Sequence, residues 1–155
     1  MELDRIDRNI LIQLQKNNRI PNVELAELVG LSAPACLKRI KRLRDSDVII
    51  GDVSIVNPEL AGKKLTFLVS VEMERDRGDI YQNFRQSITK VPEVTQCYQI
   101  SGNYDFMLII IVKDIQAYEH FVERVLHTDL NIRKFHTSIS LRTIKFSTEI
   151  QITDN

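Results

Sequence analysis

The sequence predicts an α+β protein in which three short helices precede a domain with the element order β-α-β-β-α-β. In the first part of the chain, apolar residues recur every three to four positions, which is the spacing of amphipathic helices. In the second part the period changes, and apolar segments typical of strands are separated by two helical stripes. We therefore expect a first domain over residues 1–58, a connector over 59–64 and a second domain over 65–155.

Two helices are expected within the first thirty residues or so. The apolar positions from Leu3 to Leu14 share one helical face, and Asp4 or Asp7 is suited to cap the amino terminus of that helix. A second, shorter helix is expected from Val23 to Val29 and ends at Gly30, a residue type that commonly terminates helices. A tight turn at this glycine then leads to a third helix.

The third helix and the segment after it complete the first domain. Ser32 is suited to act as the N-cap of this helix, which is expected to run to about residue 45 or 47. Beyond it, residues 48–50 and 53–56 flank Gly51 and Asp52, a turn pattern that predicts a small β-hairpin.

The second domain is expected to be a ferredoxin-like fold, in which one sheet carries helices on one face. The last strand is expected to be long, because its apolar residues alternate well beyond the usual strand length. The strands are predicted at Leu65–Met73, Val94–Ile100, Phe106–Val112 and from Phe135 to Phe146. The helices are predicted around the stripes from Ile80 to Val91 and from Ile115 to Leu126.

Composition argues against several classes of protein. The 155 residues include 21 Lys+Arg and 21 Asp+Glu, so any contact with nucleic acid must depend on local clustering of charge. Cys36 and Cys97 fit neither a disulfide framework nor a zinc site, which favours a reducing, cytoplasmic location. The charged amino terminus and the lack of an apolar run of about 20 residues argue against export and membrane insertion.

The sequence shows no signature of an enzyme. It contains no nucleophile elbow, phosphate-binding loop or metal motif, and its acidic residues are scattered. His120 and His127 lie seven positions apart, farther than the i, i+4 spacing of helical metal pairs. We therefore expect no enzymatic activity, no cofactor and no metal site.

A cluster of cations marks the third helix as the candidate DNA-binding element. Five of the seven residues from Lys38 to Arg44 are basic. Helical geometry places Cys36, Ile40 and Leu43 toward the core and much of the basic cluster on the opposite arc. The helix begins with small residues, so that end can approach base edges while the cations meet phosphates. The residues expected to contact DNA are Ser32, Ala33, Pro34, Ala35, Lys38, Lys41 and Arg42.

Other interpretations of this region stay open. A basic face can simply be the solvated side of a structural helix, although the preceding helix and the turn at Gly30 favour DNA binding. The predicted hairpin around Gly51 can act as a wing on the DNA backbone or merely close the small core. Cys36 is expected to be a buried apolar residue rather than a nucleophile.

Several stretches of the sequence carry a family resemblance. They are Leu3-Asp4-Arg5-Ile6-Asp7-Arg8-Asn9-Ile10-Leu11, Val23-Glu24-Leu25-Ala26, Val29-Gly30-Leu31-Ser32, Cys36-Leu37-Lys38-Arg39 and Ile50-Gly51. With the β-α-β-β-α-β half, they resemble the leucine-responsive/asparagine-regulator (Lrp/AsnC) family of transcription factors over nearly the whole chain. The resemblance implies a winged helix-turn-helix, an effector domain that commonly senses an amino acid, and dimers that often form octamers or other rings.

The resemblance also implies an effector site. In the family, the loop between the second and third strands of the effector domain is often Gly-Asp-aromatic-Asp and borders a pocket at a contact between dimers. Here a carboxylate and backbone N–H groups of the loop can meet the ammonium and carboxylate groups of an amino acid, although Gly, Asn and Asp are also ordinary turn residues. The expected effector residues are Gly102, Asn103, Tyr104, Asp105, Thr137, Ser138 and Ser140.

Three positions depart from the family pattern. Asn103 replaces one carboxylate of the loop, which favours a polar or uncharged ligand side chain over a cationic one. Asp47 stands where the family usually has glycine, and Asp tolerates a left-handed backbone better than most residues. Asp52 replaces a usual aromatic residue.

The sequence therefore predicts a sequence-specific DNA-binding transcriptional regulator, modulated by an amino acid or related small molecule bound between effector domains. Its expected partners are double-stranded DNA, the effector and further copies of the chain, in dimers that assemble into an octamer or similar ring. The alternative is an oligomeric amino-acid sensor whose helix-turn-helix contacts protein. Salt dependence distinguishes the two, because phosphate contacts weaken steeply with ionic strength.

Overall fold

The structure is a computed structural model that describes residues 2–74 and 78–152. Its contacts divide the chain into two units, Met1–Ile55 with Lys145–Asn155, and Val56–Ile144. The carboxyl-terminal segment therefore groups with the first unit, whereas the sequence analysis placed it in the second domain. No helix among the described residues is both long and apolar enough to cross a membrane.

Three helices form the first unit, in agreement with the prediction: α1 (Arg5–Lys16), α2 (Asn22–Val29) and α3 (Ala33–Asp45). Each helix turns an apolar stripe inward, because residues three and four positions apart share a helical face. Burial on the inner side of α3 confirms the predicted core face of that helix. The buried apolar residues of this unit are Ile10, Leu11, Leu25, Ala26, Cys36, Ile40 and Leu43.

Local signals in the sequence fix the ends of these helices. Asp4 caps α1 in a capping box with Asp7, in which each carboxylate accepts from the backbone N–H of the other residue. Gly30 ends α2 with a left-handed φ of 71°, and Ser32 caps α3. Asp47 adopts a left-handed φ of 54°, which confirms the expectation for this position.

The carboxyl-terminal segment packs on α1. Gln15 Nε2 donates to the carbonyl of Ile150 at 3.0 Å, and Gln15 Oε1 accepts from the N–H of Ile150 at 2.8 Å. Ile152 is half-buried against the core of the helical unit. Polar and apolar contacts thus hold this segment on the helical unit.

The second unit has the predicted ferredoxin-like arrangement. Its strands follow the order β2-β3-β1-β4 across the sheet, and every neighbouring pair is antiparallel. The strands are β1 (Leu65–Met73), β2 (Val94–Gln99), β3 (Phe106–Val112) and β4 (Ile132–Ile139). The helices are α4 (Gly78–Ile88) and α5 (Ile115–Phe121), and α5 continues into a π-helical turn (Val122–Leu126).

The two faces of the sheet differ in burial. Because side chains alternate along a strand, Val69 and Leu108 point to the same side, where both are fully buried in a core shared with the helices. Their neighbours point to the opposite side and are only partly buried. We call that side the outer face and define it by Leu68, Met107, Ile109 and Ile111.

The predicted hairpin after α3 is absent, since residues 48–57 contain no strand. Ile50 and Val53 are instead 93% and 76% exposed. An isolated two-stranded ribbon is marginally stable in water, and a turn pattern alone does not supply the packing that would hold one together. The prediction of a hairpin at this place was therefore wrong.

The last strand is shorter than predicted and ends at Ile139 rather than Phe146. Ser140 still donates its N–H to the carbonyl of Thr66 at 2.8 Å. However, β1 begins at Leu65, so the residues that follow Ser140 run past the end of the neighbouring strand. Apolar and polar residues alternate in this segment with the period of a strand, but a strand forms only where a neighbouring strand is in register to accept and donate its hydrogen bonds.

Candidate DNA-binding and effector sites

The outer side of α3 carries two exposed lysines, Lys38 and Lys41. Neither ammonium group has a hydrogen bond or an ion pair with any residue that the structure describes. Residues three positions apart on a helix lie on the same side, about one turn from each other. The two charges are therefore suited to meet phosphates along a DNA backbone.

The first turn of α3 presents little side-chain bulk. Ser32 and Pro34 are exposed, whereas Ala33 and Ala35 are half-buried. The Ser32 hydroxyl accepts from the N–H of Ala35 at 3.4 Å, and Asn22 Nδ2 donates to the carbonyl of Ala33 at 2.8 Å. Asn22, at the start of α2, therefore helps to position α3, a role that the sequence analysis missed.

Two arginines of α3 are bound by carboxylates of α1. Asp7 is fully buried and accepts from Arg39 Nη1 at 2.8 Å and from Arg42 Nη2 at 2.5 Å. Arg39 Nη1 also donates to Asp4 at 2.6 Å, and this bond is the main reason that the pKa of Asp4 falls from 3.8 to about 2. Arg42 was expected to lie free on the arc opposite the core, but it is half exposed and bonded to a buried carboxylate.

A third arginine of the helix is paired on the surface. Arg44 Nη2 donates to Asp52 at 2.8 Å, and both side chains are about half exposed. Asp52 belongs to the segment that was predicted to form a hairpin, and if that segment lay on DNA as a wing, the carboxylate would repel phosphates unless a cation offset its charge. Three of the five basic residues of α3, all of them arginines, are thus paired with carboxylates.

The carboxylate of Asp105 takes part in the fold of the second unit. Its Oδ2 accepts from the N–H of Met73 at 2.7 Å, and its Oδ1 accepts from the hydroxyl of Tyr81 at 2.6 Å. The N–H of Asp105 donates to the carbonyl of Val71 at 2.8 Å. Both carboxylate oxygens therefore already accept a hydrogen bond, and the ammonium group of a ligand would have to share them.

The remainder of the candidate effector loop is more open. Gly102 and Asn103 are exposed, and Gly102 has a φ of 124°, which L side chains rarely adopt. Tyr104 is half-buried, and the centroid of its ring lies 6.4 Å from that of His136 on β4. Backbone N–H groups at a loop of this kind can approach a small anionic group closely.

The three hydroxyl residues of the predicted effector set, Thr137, Ser138 and Ser140, do not share one place in the fold. Thr137 and Ser138 point to opposite faces of the sheet, and the Thr137 hydroxyl is hydrogen-bonded to that of Tyr118, whose pKa is raised by burial. Ser140 donates its N–H to Thr66, whereas the loop reaches β1 at Val71, which accepts from the N–H of Asp105. These two points on β1 are five residues apart, or roughly 17 Å at about 3.4 Å per residue. The predicted set is therefore not one site in a single chain.

An open groove of about 510 Å³ lies elsewhere in the second unit. Phe84 of α4, Arg124 of the π-helical turn and Leu130 of the following loop contribute to its walls. Arg124 Nη2 donates to Glu93 at 2.5 Å. The groove shares no residue with the predicted effector set.

These features define a class of protein. Two helices joined by a tight turn, with exposed cations and a small first turn on the second helix, form a helix-turn-helix DNA-binding domain. The ferredoxin-like unit forms a separate domain, and its loop at Gly102 and Asn103 is exposed. The combination is that of a transcriptional regulator with one domain for DNA and one for a small molecule.

Comparison with protein families supports both assignments. Residues 3–50 match the family of winged helix-turn-helix DNA-binding domains, and residues 66–150 match the Lrp/AsnC ligand binding domain. The chain therefore belongs to the Lrp/AsnC family of transcriptional regulators, which confirms the resemblance found in its motifs.

Individual relatives agree over nearly the full chain. An uncharacterised HTH-type transcriptional regulator of Sinorhizobium fredii is 44% identical over 154 residues, 98% of this chain and 91% of that protein. The leucine-responsive regulatory protein of Escherichia coli is 34% identical over 151 residues, 97% of this chain and 92% of that protein. A solved structure of a transcriptional regulator of Neisseria meningitidis in complex with L-Met has a TM-score of 0.89 and 33% identity, with 97% of each chain covered. The first and the third of these relatives are named as transcriptional regulators, and the second as a regulatory protein.

Proposed function

We propose that this protein is a non-enzymatic, sequence-specific regulator that reads DNA with the first turn of α3. The observation that carries the proposal concerns Lys38 and Lys41. Both are exposed, neither has a partner among the described residues, and both follow the small residues of the first turn. In this proposal Ser32 to Ala35 approach base edges and Lys38 and Lys41 contact phosphates, while Arg42 stays bonded to Asp7.

Selection of fragments from genomic DNA, with and without a mixture of amino acids, tests this function. With a selected site, Lys38→Ala and Lys41→Ala are each expected to reduce the slope of log K against log salt by about 0.9. Lys16→Ala, at an exposed position in the last turn of α1, is the matched control and should leave the slope unchanged. If the affinity for DNA does not fall as the salt concentration rises, the alternative of a helix-turn-helix that contacts protein is favoured.

We also propose that an amino acid or related small molecule modulates the regulator and binds between effector domains at the loop Gly102–Tyr104. The L-Met complex of the neisserial relative supports the class of ligand, and the exposed loop supports the place. Asn103 can both donate and accept, which favours a polar or uncharged ligand side chain. Asp105 then supports the loop, and Ser138 and Ser140 would join the site from another copy of the chain.

Calorimetric titration with each of the twenty amino acids tests the effector. Loss of one ligand hydrogen bond in Asn103→Ala is expected to weaken binding about fivefold, from a net contribution of about 1 kcal/mol. Asn83→Ala, at an exposed position on α4, should leave the affinity unchanged. Equal affinity in the parent and Asn103→Ala would exclude a ligand contact by this side chain, and no binding to the parent would exclude an amino-acid effector.

We propose further that copies of the chain form dimers through the outer face, and that dimers assemble into an octamer or similar ring. Leu68 and Tyr98 are 37% and 53% exposed, and the register places both beside apolar residues of β3 on that face. A contiguous apolar patch of this kind is typical of an interface between proteins. A twofold axis would present two copies of α3 to one DNA duplex.

A further inference from the structure

Much of the positive charge on α3 is neutralised within the protein. Arg39 lies 2.6 Å from Asp4 and 2.8 Å from Asp7, and Arg42 lies 2.5 Å from Asp7. The two lysines of the helix have no such partner among the residues that the structure describes. Apart from Arg44, which pairs with Asp52, the cations of α3 thus fall into a solvated pair and a pair held by carboxylates at the start of α1.

The carboxylate of Asp7 depends on both arginines. Its side chain is 1% exposed, whereas those of Arg39 and Arg42 are 27% and 48% exposed. A buried carboxylate that loses its cations is strongly unfavourable, because water cannot replace them. A DNA phosphate must therefore compete with Asp7 for these guanidinium groups, whereas it displaces only water and mobile ions from a lysine.

We propose that Asp4 and Asp7 are internal counter-ions that withhold Arg39 and Arg42 from phosphates and so determine the ratio of specific to non-specific DNA binding. This inference depends on the proposed use of α3 to contact DNA. Non-specific binding grows with the number of phosphates that a protein neutralises. Withholding two cations weakens non-specific binding, which depends on phosphate contacts throughout, more than it weakens specific binding, to which contacts of the first turn with base edges also contribute.

A purely structural role for the carboxylates predicts a different outcome. Because Asp7 joins α1 to α3, its removal is expected to lower stability whatever it does to DNA binding. Stability therefore does not distinguish the two roles. The two roles are distinguished by the slope of log K against log salt and by the ratio of specific to non-specific affinity, both measured on folded protein. A cation contributes to this slope only if it contacts a phosphate and so releases the ions bound there.

The first experiment measures the salt slope on a duplex of mixed sequence. We expect the slope of log K against log salt to become shallower by about 0.9 in Lys38→Ala and in Lys41→Ala. Arg39→Ala should change the slope much less, because carboxylates already neutralise the charge of Arg39 in the parent. An equal loss in folded Arg39→Ala would overturn the inference while leaving the proposed function intact. If neither lysine variant changes the slope, α3 is not the phosphate-contacting surface, and both proposals fail.

The second experiment frees Arg39 in part through Asp4→Asn. Asparagine also caps helices well, and the side chain of Asp4 is about half exposed, so thermal unfolding should show a folded protein. Glu27→Gln, which makes the same change in charge at an exposed position of α2, is the matched control.

We expect Asp4→Asn to bind mixed-sequence DNA more tightly than Glu27→Gln does, with a slope steeper by up to about 0.9 unit and a lower ratio of specific to non-specific affinity. The same slope and the same ratio in the two variants would contradict the inference. Any difference of Asp4→Asn from the parent would then come from the change in net charge, which Glu27→Gln shares.

Discussion

The carboxylate of Asp105 joins the end of β1 to α4, since it accepts from the N–H of Met73 and from the hydroxyl of Tyr81. Asp105→Ala removes the acceptor of both groups. We expect the free energy of unfolding to fall by about 1–3 kcal/mol, the usual cost of unpaired polar groups. Denaturant unfolding measures this, with Asn103→Ala as an exposed control within about 0.5 kcal/mol of the parent. Equal stability of Asp105→Ala and the control would show that these hydrogen bonds do not hold the loop.

The carboxyl of Asp4 gives a prediction for acid stability. Its hydrogen bond from Arg39 lowers its pKa in the folded protein from 3.8 to about 2. Because the pKa of this carboxyl is lower in the folded protein, its ionised form stabilises the fold at pH values above the unfolded pKa of 3.8. This stabilisation is lost as the pH falls through the folded pKa of about 2. Thermal unfolding of the parent and Asp4→Asn between pH 5 and 2 should therefore show a difference in Tm that shrinks toward pH 2. A difference that stays constant over this range would contradict the pKa of Asp4.

Single residues were predictable where the signal is local. The cap at Ser32 follows from neighbours in the sequence, and the left-handed backbone of Asp47 follows from the glycine that the family usually has at this place. The bonds of Asp7 to Arg39 and Arg42 span 32 and 35 positions, so helical periodicity alone could not reveal them. The same reason explains why Arg42 was predicted to contact DNA and not Asp7.

The turn between α2 and α3 depends on the left-handed backbone of Gly30. No other atom lies within 4 Å of the position that a Cβ would take, so substitution costs conformational energy rather than packing. We expect Gly30→Ala to lower the free energy of unfolding by about 1 kcal/mol. Gly51→Ala is the matched control, because its site is equally open and its φ is not left-handed. A loss of the same size in both variants would mean that the turn conformation is not the cause.

Helices were predicted well and strands less so, for a physical reason. A helix such as α3 satisfies its backbone within one segment, so periodicity and caps suffice. A strand needs a partner in register, which the sequence does not state. Residues 53–56 and 141–146 alternate like strands, yet they form none. β1 and β3 match their predicted bounds, and they pair with each other along their length.

At the scale of the whole molecule, the outer face gives the last prediction. Ile109 lies near its centre, on a strand with neighbours on both sides, and is only half-buried. If two copies pack through this face, Ile109→Lys places a charge in an apolar interface, which is unfavourable without a partner. Gln116→Lys, at an exposed position on α5, adds the same charge away from the outer face.

We expect the parent and Gln116→Lys to sediment as dimers or larger assemblies at micromolar concentration, and folded Ile109→Lys to sediment as a monomer. Because a dimer presents two copies of α3, its operator should be a pseudo-palindrome with half-sites about one helical turn, or a multiple, apart. The monomeric variant should then bind the full operator no more tightly than a single half-site. A monomeric parent would contradict pairing through the outer face, as would an Ile109→Lys protein that keeps both the assembly and the preference for two half-sites.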